Sequence, residues 1–252
     1  MSRNYRWVYR RFKIFLMQKR RFDVFMAIVV ALLTALFVWG VSASGGSNIF
    51  QLFSGGQEQT TTVSSGCVVF VDPGHGGADQ GASNGDRLES EDNLTLALAV
   101  REALEARGVT VVMSREDDTT ISLTERVAAA EAASADIFLS LHRNSADEAD
   151  ACGLEVWTAE SCSELSTSLA GAICVALAET DIQENRGVKT GSQSGTGDYY
   201  VLLYTSMPAV LVEMGFISNE EDNSLFDRNV DNYAAAIAEA LVETYNNSLG
   251  ES

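Results

Sequence analysis

The sequence predicts an α/β fold, a single domain with a mostly parallel central sheet flanked by helices, preceded by one N-terminal transmembrane helix. Three observations predict it. From Cys67 onward, short apolar runs alternate with longer stretches of helical period, the pattern of strand-helix-strand units around a parallel sheet. Val24 to Val41 is an 18-residue run without a charge, nearly long enough as a helix to cross a hydrocarbon core of about 30 Å. Between the two, residues 42–66 are rich in Gly, Ser, Thr and Gln and lack apolar periodicity, as a linker does. The expected organisation is a basic cytoplasmic segment at 1–23, a transmembrane anchor or signal segment at 24–41, a flexible linker at 42–66 and a globular domain at 67–248.

Charge orients this arrangement. Met1 to Arg21 carry eight Lys or Arg and no acid, whereas the rest of the 252-residue chain has 9 basic against 35 acidic residues. The positive-inside rule then leaves the N-terminus in the cytoplasm and the domain on the extracytoplasmic side, as a single-pass membrane protein. If "VSAS" at 41–44 is a cleavage site, the same domain is secreted instead. An acidic domain of this kind repels nucleic acid and anionic lipid, which argues against a nucleic-acid partner. The 46% hydrophobic content is enough for a sizeable core.

Element by element, "CVVFVD" reads as a buried strand and "EDNLTLALAVREALEARG" as an amphipathic helix stopped by Gly108. "VTVVMSR" is the next strand, "SLTERVAAAEAAS" a helix, "DIFLSLH" and "GLEVWTA" strands, and "SELSTSLAGAICVALAET" a long helix. "AVLVEMGF" is a buried strand, "NEEDNSLF" a short helix capped by Asn219, and "NVDNYAAAIAEALVETYNN" a separate closing helix. "GSQSGTGDYY", Gly191 to Tyr200, is a polar loop placed to border a groove. The four cysteines allow three full pairings and contain no CxxC pair, so a cysteine-zinc site is disfavoured while disulfides and reduced thiols both stay open.

Chemistry gathers where loops leave the carboxyl ends of strands. His75 follows the first strand within "DPGHGG", His142 ends "DIFLSLH", Glu213 ends "AVLVE", and Glu91 opens the first helix near the same rim. Two imidazoles and a carboxylate suit a tetrahedral Zn2+ that keeps one position for water, and a further carboxylate can then serve as general base and acid. Each residue also has a plain structural reading: a hydrogen-bonded strand-end histidine, or a first-turn glutamate facing the helix dipole. Glu213 resists that reading, because an acid inside an apolar run must be paired, metal-bound or functional.

The ordered motifs "VFVDPGHGGADQGA", "ESEDNLTLALAVREALEARGVTVVMSREDD", "ADIFLSLHRNSA", "NRGVK" and "PAVLVEMGFISNEED" resemble the zinc-dependent N-acetylmuramoyl-L-alanine amidases of the Amidase_3 type, over roughly residues 68–245. The resemblance implies a zinc amidase catalytic domain at 67–248, zinc held by His75, Glu91 and His142, and Glu213 as the catalytic acid/base. "ESEDN" offers Glu89 as well as Glu91, and counting back from "LTLALA" selects Glu91. It further implies that Arg115 and Arg126 fix loops and helix packing, that Asp72 orients His75 or caps its turn, and that Asn144 contacts substrate. The implied reaction is hydrolysis of the amide between N-acetylmuramic acid and L-alanine in peptidoglycan, with Zn2+ as cofactor. A protein activator is left unidentified. The competing readings are a zinc peptidase cutting within the stem peptide and a non-catalytic wall-binding scaffold.

Overall fold

The computed structural model describes residues 61–63, 66–148 and 150–250. Its centre is a six-stranded sheet of β1 (Val68–Pro73), β4 (Thr110–Met113), β5 (Ile137–Asn144), β6 (Leu154–Thr158), β7 (Asn185–Thr190) and β8 (Ala209–Phe216). The spatial order is β4-β1-β5-β8-β6-β7. Every neighbouring pair is parallel except β6 with β8, which is antiparallel. A two-residue-per-strand hairpin, β2 (Ser83–Asn84) with β3 (Arg87–Leu88), lies outside the sheet between β1 and the first helix.

Alternation along the strands builds two cores. Val69 and Val71, Ile137 and Leu139, Val210 and Val212 face one side, against α1 (Glu89–Glu105), α3 (Glu164–Ala178) and α5 (Glu220–Gly250). Phe70, Phe138 and Leu211 face the other, with Ala130 of α2 (Leu123–Ala132) and Val201 and Leu202 of α4 (Tyr200–Tyr204). The Phe70 and Phe138 rings stack there at 5.5 Å. Local signals set the helix starts: Ser122 and Glu125 form a capping box on α2, Ser163 caps α3, and the Asn219 side chain accepts from the backbone of Glu221 and Asp222 at the start of α5.

The expected α/β sheet and its helices are present, with differences that have physical causes. The two helices read at 219–226 and 229–247 are one 31-residue helix, since no Pro or Gly interrupts residues 220–249 and Phe226, Tyr233 and Ala234 keep the same face buried. β7 has no apolar run to mark it in the sequence, because "NRGVKT" is a polar, half-exposed edge strand. At the near end of the expected linker, the Val63 amide donates to Arg107 O at 3.0 Å and Asn246 donates to Thr62 O at 2.9 Å. The expected span at 24–41 lies outside the described residues, and among the described residues no helix is long and apolar enough to cross a membrane. Cys67, Cys152, Cys162 and Cys174 are all free thiols, and burial, then the charge of Asp136, pushes Cys67 up to about 12.

Candidate metal centre and active site

The loop after β1 holds His75 in an unusual backbone conformation. Its φ is +60°, a left-handed value that L residues rarely adopt, so the surroundings must enforce it. Two buried arginines do so. Arg126 pairs with Asp72 and donates to Pro73 O at 2.9 Å and His75 O at 2.7 Å. Arg115 donates to Pro73 O at 3.0 Å, Gly74 O at 2.9 Å and Ser90 O at 2.8 Å, tying the loop to α1. Both arginines therefore fix the loop, as expected. Gly74 is required for a separate reason: a Cβ at that position would overlap the His142 ring.

Asp72 does not orient His75. It accepts from Ser114 at 2.6 Å and Ser140 at 3.0 Å as well as from Arg126, and is spent on packing the loop. The carboxylate that meets His75 Nδ1, at 2.9 Å, is Asp79, which the sequence reading passed over. Asp79 is placed by a reciprocal backbone bridge with Gly76 and by accepting from the Gly81 amide.

The carboxylate between the histidines is Glu89, and the expectation of Glu91 is corrected. Helix α1 begins at Glu89, two residues earlier than read. Its inward stripe runs Glu89, Asp92, Asn93, Leu96, Ala97, Val100, while Glu91 and Thr95 face solvent. At about 100° per residue, position 91 is turned roughly 200° from position 89. Glu89 Oε1 lies 2.9 Å from His142 Nδ1 and 3.3 Å from His75 Nε2, and its Oε2 accepts from Ala82 N at 2.8 Å. The ligand-type atoms of His75, Glu89 and His142 all lie within 4.8 Å of one another. Burial opposes the charge of Glu89, but bonds to His142 and His75 overcome it and hold the carboxyl far below its ordinary value. Burial likewise works against the His75 cation, yet Glu89 and Asp79 raise it to about 9.

His142 and Glu213 are direct neighbours across the β5–β8 pairing. Glu213 is 5% exposed, and its Oε2 is buried with no hydrogen-bond partner among the described residues. Burial, reinforced by the charges of Glu89 and Glu155 and opposed by the histidines, lifts it to about 7. Both histidines, Glu89, Glu213, Asn144, Gln193 and Tyr199 line one cavity of about 500 Å³. The expected loop at 191–200 does border it. Two imidazoles and a carboxylate form a donor set of the kind that binds zinc, and Glu213, with its orphan oxygen, lines the same cavity.

A layered α/β sheet with a His-Glu-His cluster that could hold a metal ion, and a buried acid at its rim, is an arrangement suited to metal-assisted hydrolysis. The family model for Amidase_3, described as N-acetylmuramoyl-L-alanine amidase, matches residues 69–243, and the chain belongs to that family. It is 40% identical over 183 residues to N-acetylmuramoyl-L-alanine amidase LytC of Bacillus subtilis, covering 71% of this chain and 36% of LytC. It is 34% identical over 163 residues to the probable cell wall amidase LytH of Staphylococcus aureus, covering 64% of this chain and 51% of that protein. The chain thus spans only about a third to a half of these two relatives. Among solved structures it resembles AmiC2, an N-acetylmuramoyl-L-alanine amidase of Nostoc punctiforme, with a TM-score of 0.60, 36% identity, and coverage of 73% of this chain and 97% of that one. It also resembles the catalytic domain of CwlV from Bacillus (Paenibacillus) polymyxa, with a TM-score of 0.61, 30% identity, and coverage of 74% and 99%.

Proposed function

We propose that this protein is a zinc-dependent N-acetylmuramoyl-L-alanine amidase that hydrolyses the amide joining N-acetylmuramic acid to L-alanine of the peptidoglycan stem peptide. The observation that carries the reading is the cluster of His75, Glu89 and His142 facing the same cavity as the orphan acid Glu213, in a member of this family. His75, Glu89 and His142 would hold the ion. Bound zinc supplies a Lewis acid that polarises a carbonyl and acidifies water. Asp79 accepts from His75 Nδ1, which leaves Nε2 directed at the cluster. Glu213, raised to about 7, is suited both to accept a proton from water and to return it to the departing amine near neutral pH. The raised value comes chiefly from burial, so the apolar strand around Glu213 is part of the chemistry.

The test uses the full-length chain. Metal content and mass spectrometry of digested cell wall are compared before chelation, after it and after zinc is returned. About one zinc per chain with free stem peptides beginning at L-alanine is the expected result. Stem peptides cut internally would replace the amidase with a peptidase, and neither metal nor product would leave a wall-binding scaffold.

The placement of the domain is part of the same proposal. The basic 1–23 segment and apolar 24–41 run support a single membrane span with the domain on the extracytoplasmic side, where peptidoglycan lies. Protease added to intact protoplasts should remove the domain; full protection would put it in the cytoplasm.

A further inference from the structure

Glu155 on β6 is a further buried carboxylate beside the site, and the chemistry proposed above involves it only through its charge on Glu213. It stands opposite Glu213 in the antiparallel β6–β8 pairing and is 5% exposed. It does not line the cavity. Its Oε1 accepts from Arg186 Nε at 2.7 Å, and its Oε2 accepts from Asn144 Nδ2 and Trp157 Nε1, each at 3.1 Å. Two of these donors lead to the cavity wall. Asn144 Oδ1 accepts from Gln193 Nε2 at 2.8 Å, and the Trp157 ring meets Tyr199 edge to face at 5.6 Å. Gln193 and Tyr199 sit on one loop and both line the cavity.

We propose that Glu155 is a positioning residue: by fixing Asn144 and Trp157 it holds Gln193 and Tyr199 as the wall that grips the amide groups of a glycan-linked stem peptide beside Glu213. The inference rests on the amidase reading for its substrate. A carboxylate is needed at 155 because only an acceptor at both oxygens can take three donors. A glutamine there would turn an NH2 group towards a donor on one side. The Gln193 NH2 is committed to Asn144 Oδ1 and, at 3.3 Å, to Ser145 O, which leaves its Oε1 to accept from a peptide or acetamido N–H beside the Tyr199 ring.

The experiment measures kcat, KM and metal content of the full-length zinc-loaded chain on a soluble muropeptide with an intact muramoyl-alanine bond. Glu155→Gln, Gln193→Ala and the double variant are compared. Each single change should raise KM by about fivefold or more, the size of one lost hydrogen bond, with kcat at its own pH optimum within about twofold and zinc unchanged. The double variant should be no worse than Glu155→Gln by more than about twofold, because both changes break one path. The Kd of the same muropeptide, measured on Glu213→Gln carrying each change, should weaken in parallel and needs no turnover. An unchanged KM and Kd in either single variant, multiplying losses in the double, or loss of zinc in Glu155→Gln would overturn the proposal. If Glu155→Gln does not fold, Gln193→Ala decides by the same criterion. A wild-type chain that binds the muropeptide without cleaving it sinks the amidase reading, and the Kd comparison still tests Glu155.

Discussion

Glu89 and Glu91 lie two positions apart on one helix, and that separation decides which of them reaches the histidines. Glu89→Ala should abolish stoichiometric zinc binding, whereas Glu91→Ala should retain it, as measured by metal content after dialysis. Retention in both would remove Glu89 from the centre. The signal was legible in the sequence, because the apolar positions 96, 97, 100 and 104 extend backwards through 93 and 92 to 89, not to 91. Glu213 carries a second residue-scale consequence. Its carboxyl is raised from the ordinary 4.5 to about 7, so between those values the native protein keeps a proton that the unfolded chain has lost. Its contribution to stability is therefore full below about pH 4.5 and is lost as pH rises through 7. In chelated protein, Glu213→Gln should melt progressively higher than wild type from pH 5 to pH 8, by on the order of 3 kcal/mol at the top. A pH-independent difference between the two would show that Glu213 is not raised.

The element that matters most is the loop between β1 and α1. His75 keeps its left-handed backbone because Arg115 and Arg126 occupy the loop's carbonyls, and both guanidinium groups are buried. Arg126→Ala leaves Asp72 buried without its partner, which should destabilise the domain by roughly 3–5 kcal/mol in denaturant melts. Gly74→Ala tests the loop differently: the added methyl group pushes on the His142 ring, so zinc affinity should fall at least tenfold even where the fold persists. A Gly74→Ala protein with wild-type zinc affinity would show that the loop can yield. At this scale strands with strong apolar runs were readable, β8 to the residue at Ala209–Phe216. β7 was not, because an edge strand that borrows its hydrogen bonds from β6 needs no apolar face of its own.

Across the whole molecule, the parallel order of β1, β5 and β8 carries one chemical group each to a shared rim, from positions as far apart in sequence as 75 and 213. Metal that binds only the folded domain must stabilise it, so chelation should lower the melting temperature and zinc should restore it, increasingly with free zinc. Because all four cysteines are free thiols, reductant should leave that melting temperature unchanged; a drop on reduction would reveal a disulfide. The sequence by itself determined the alternation of strands and helices, the two histidines and the buried acid at strand ends, and the family. Those features are periodicities and local motifs, which a chain displays before it folds. Only the tertiary structure decided that Asp79 rather than Asp72 meets His75, that Glu89 meets His142 across 53 residues, and that Glu155 gathers Asn144, Trp157 and Arg186. The physical reason is that a buried polar group takes whichever partner the packed backbone brings within about 3 Å, and that approach is set by strand order and helix phase rather than by neighbours in the chain.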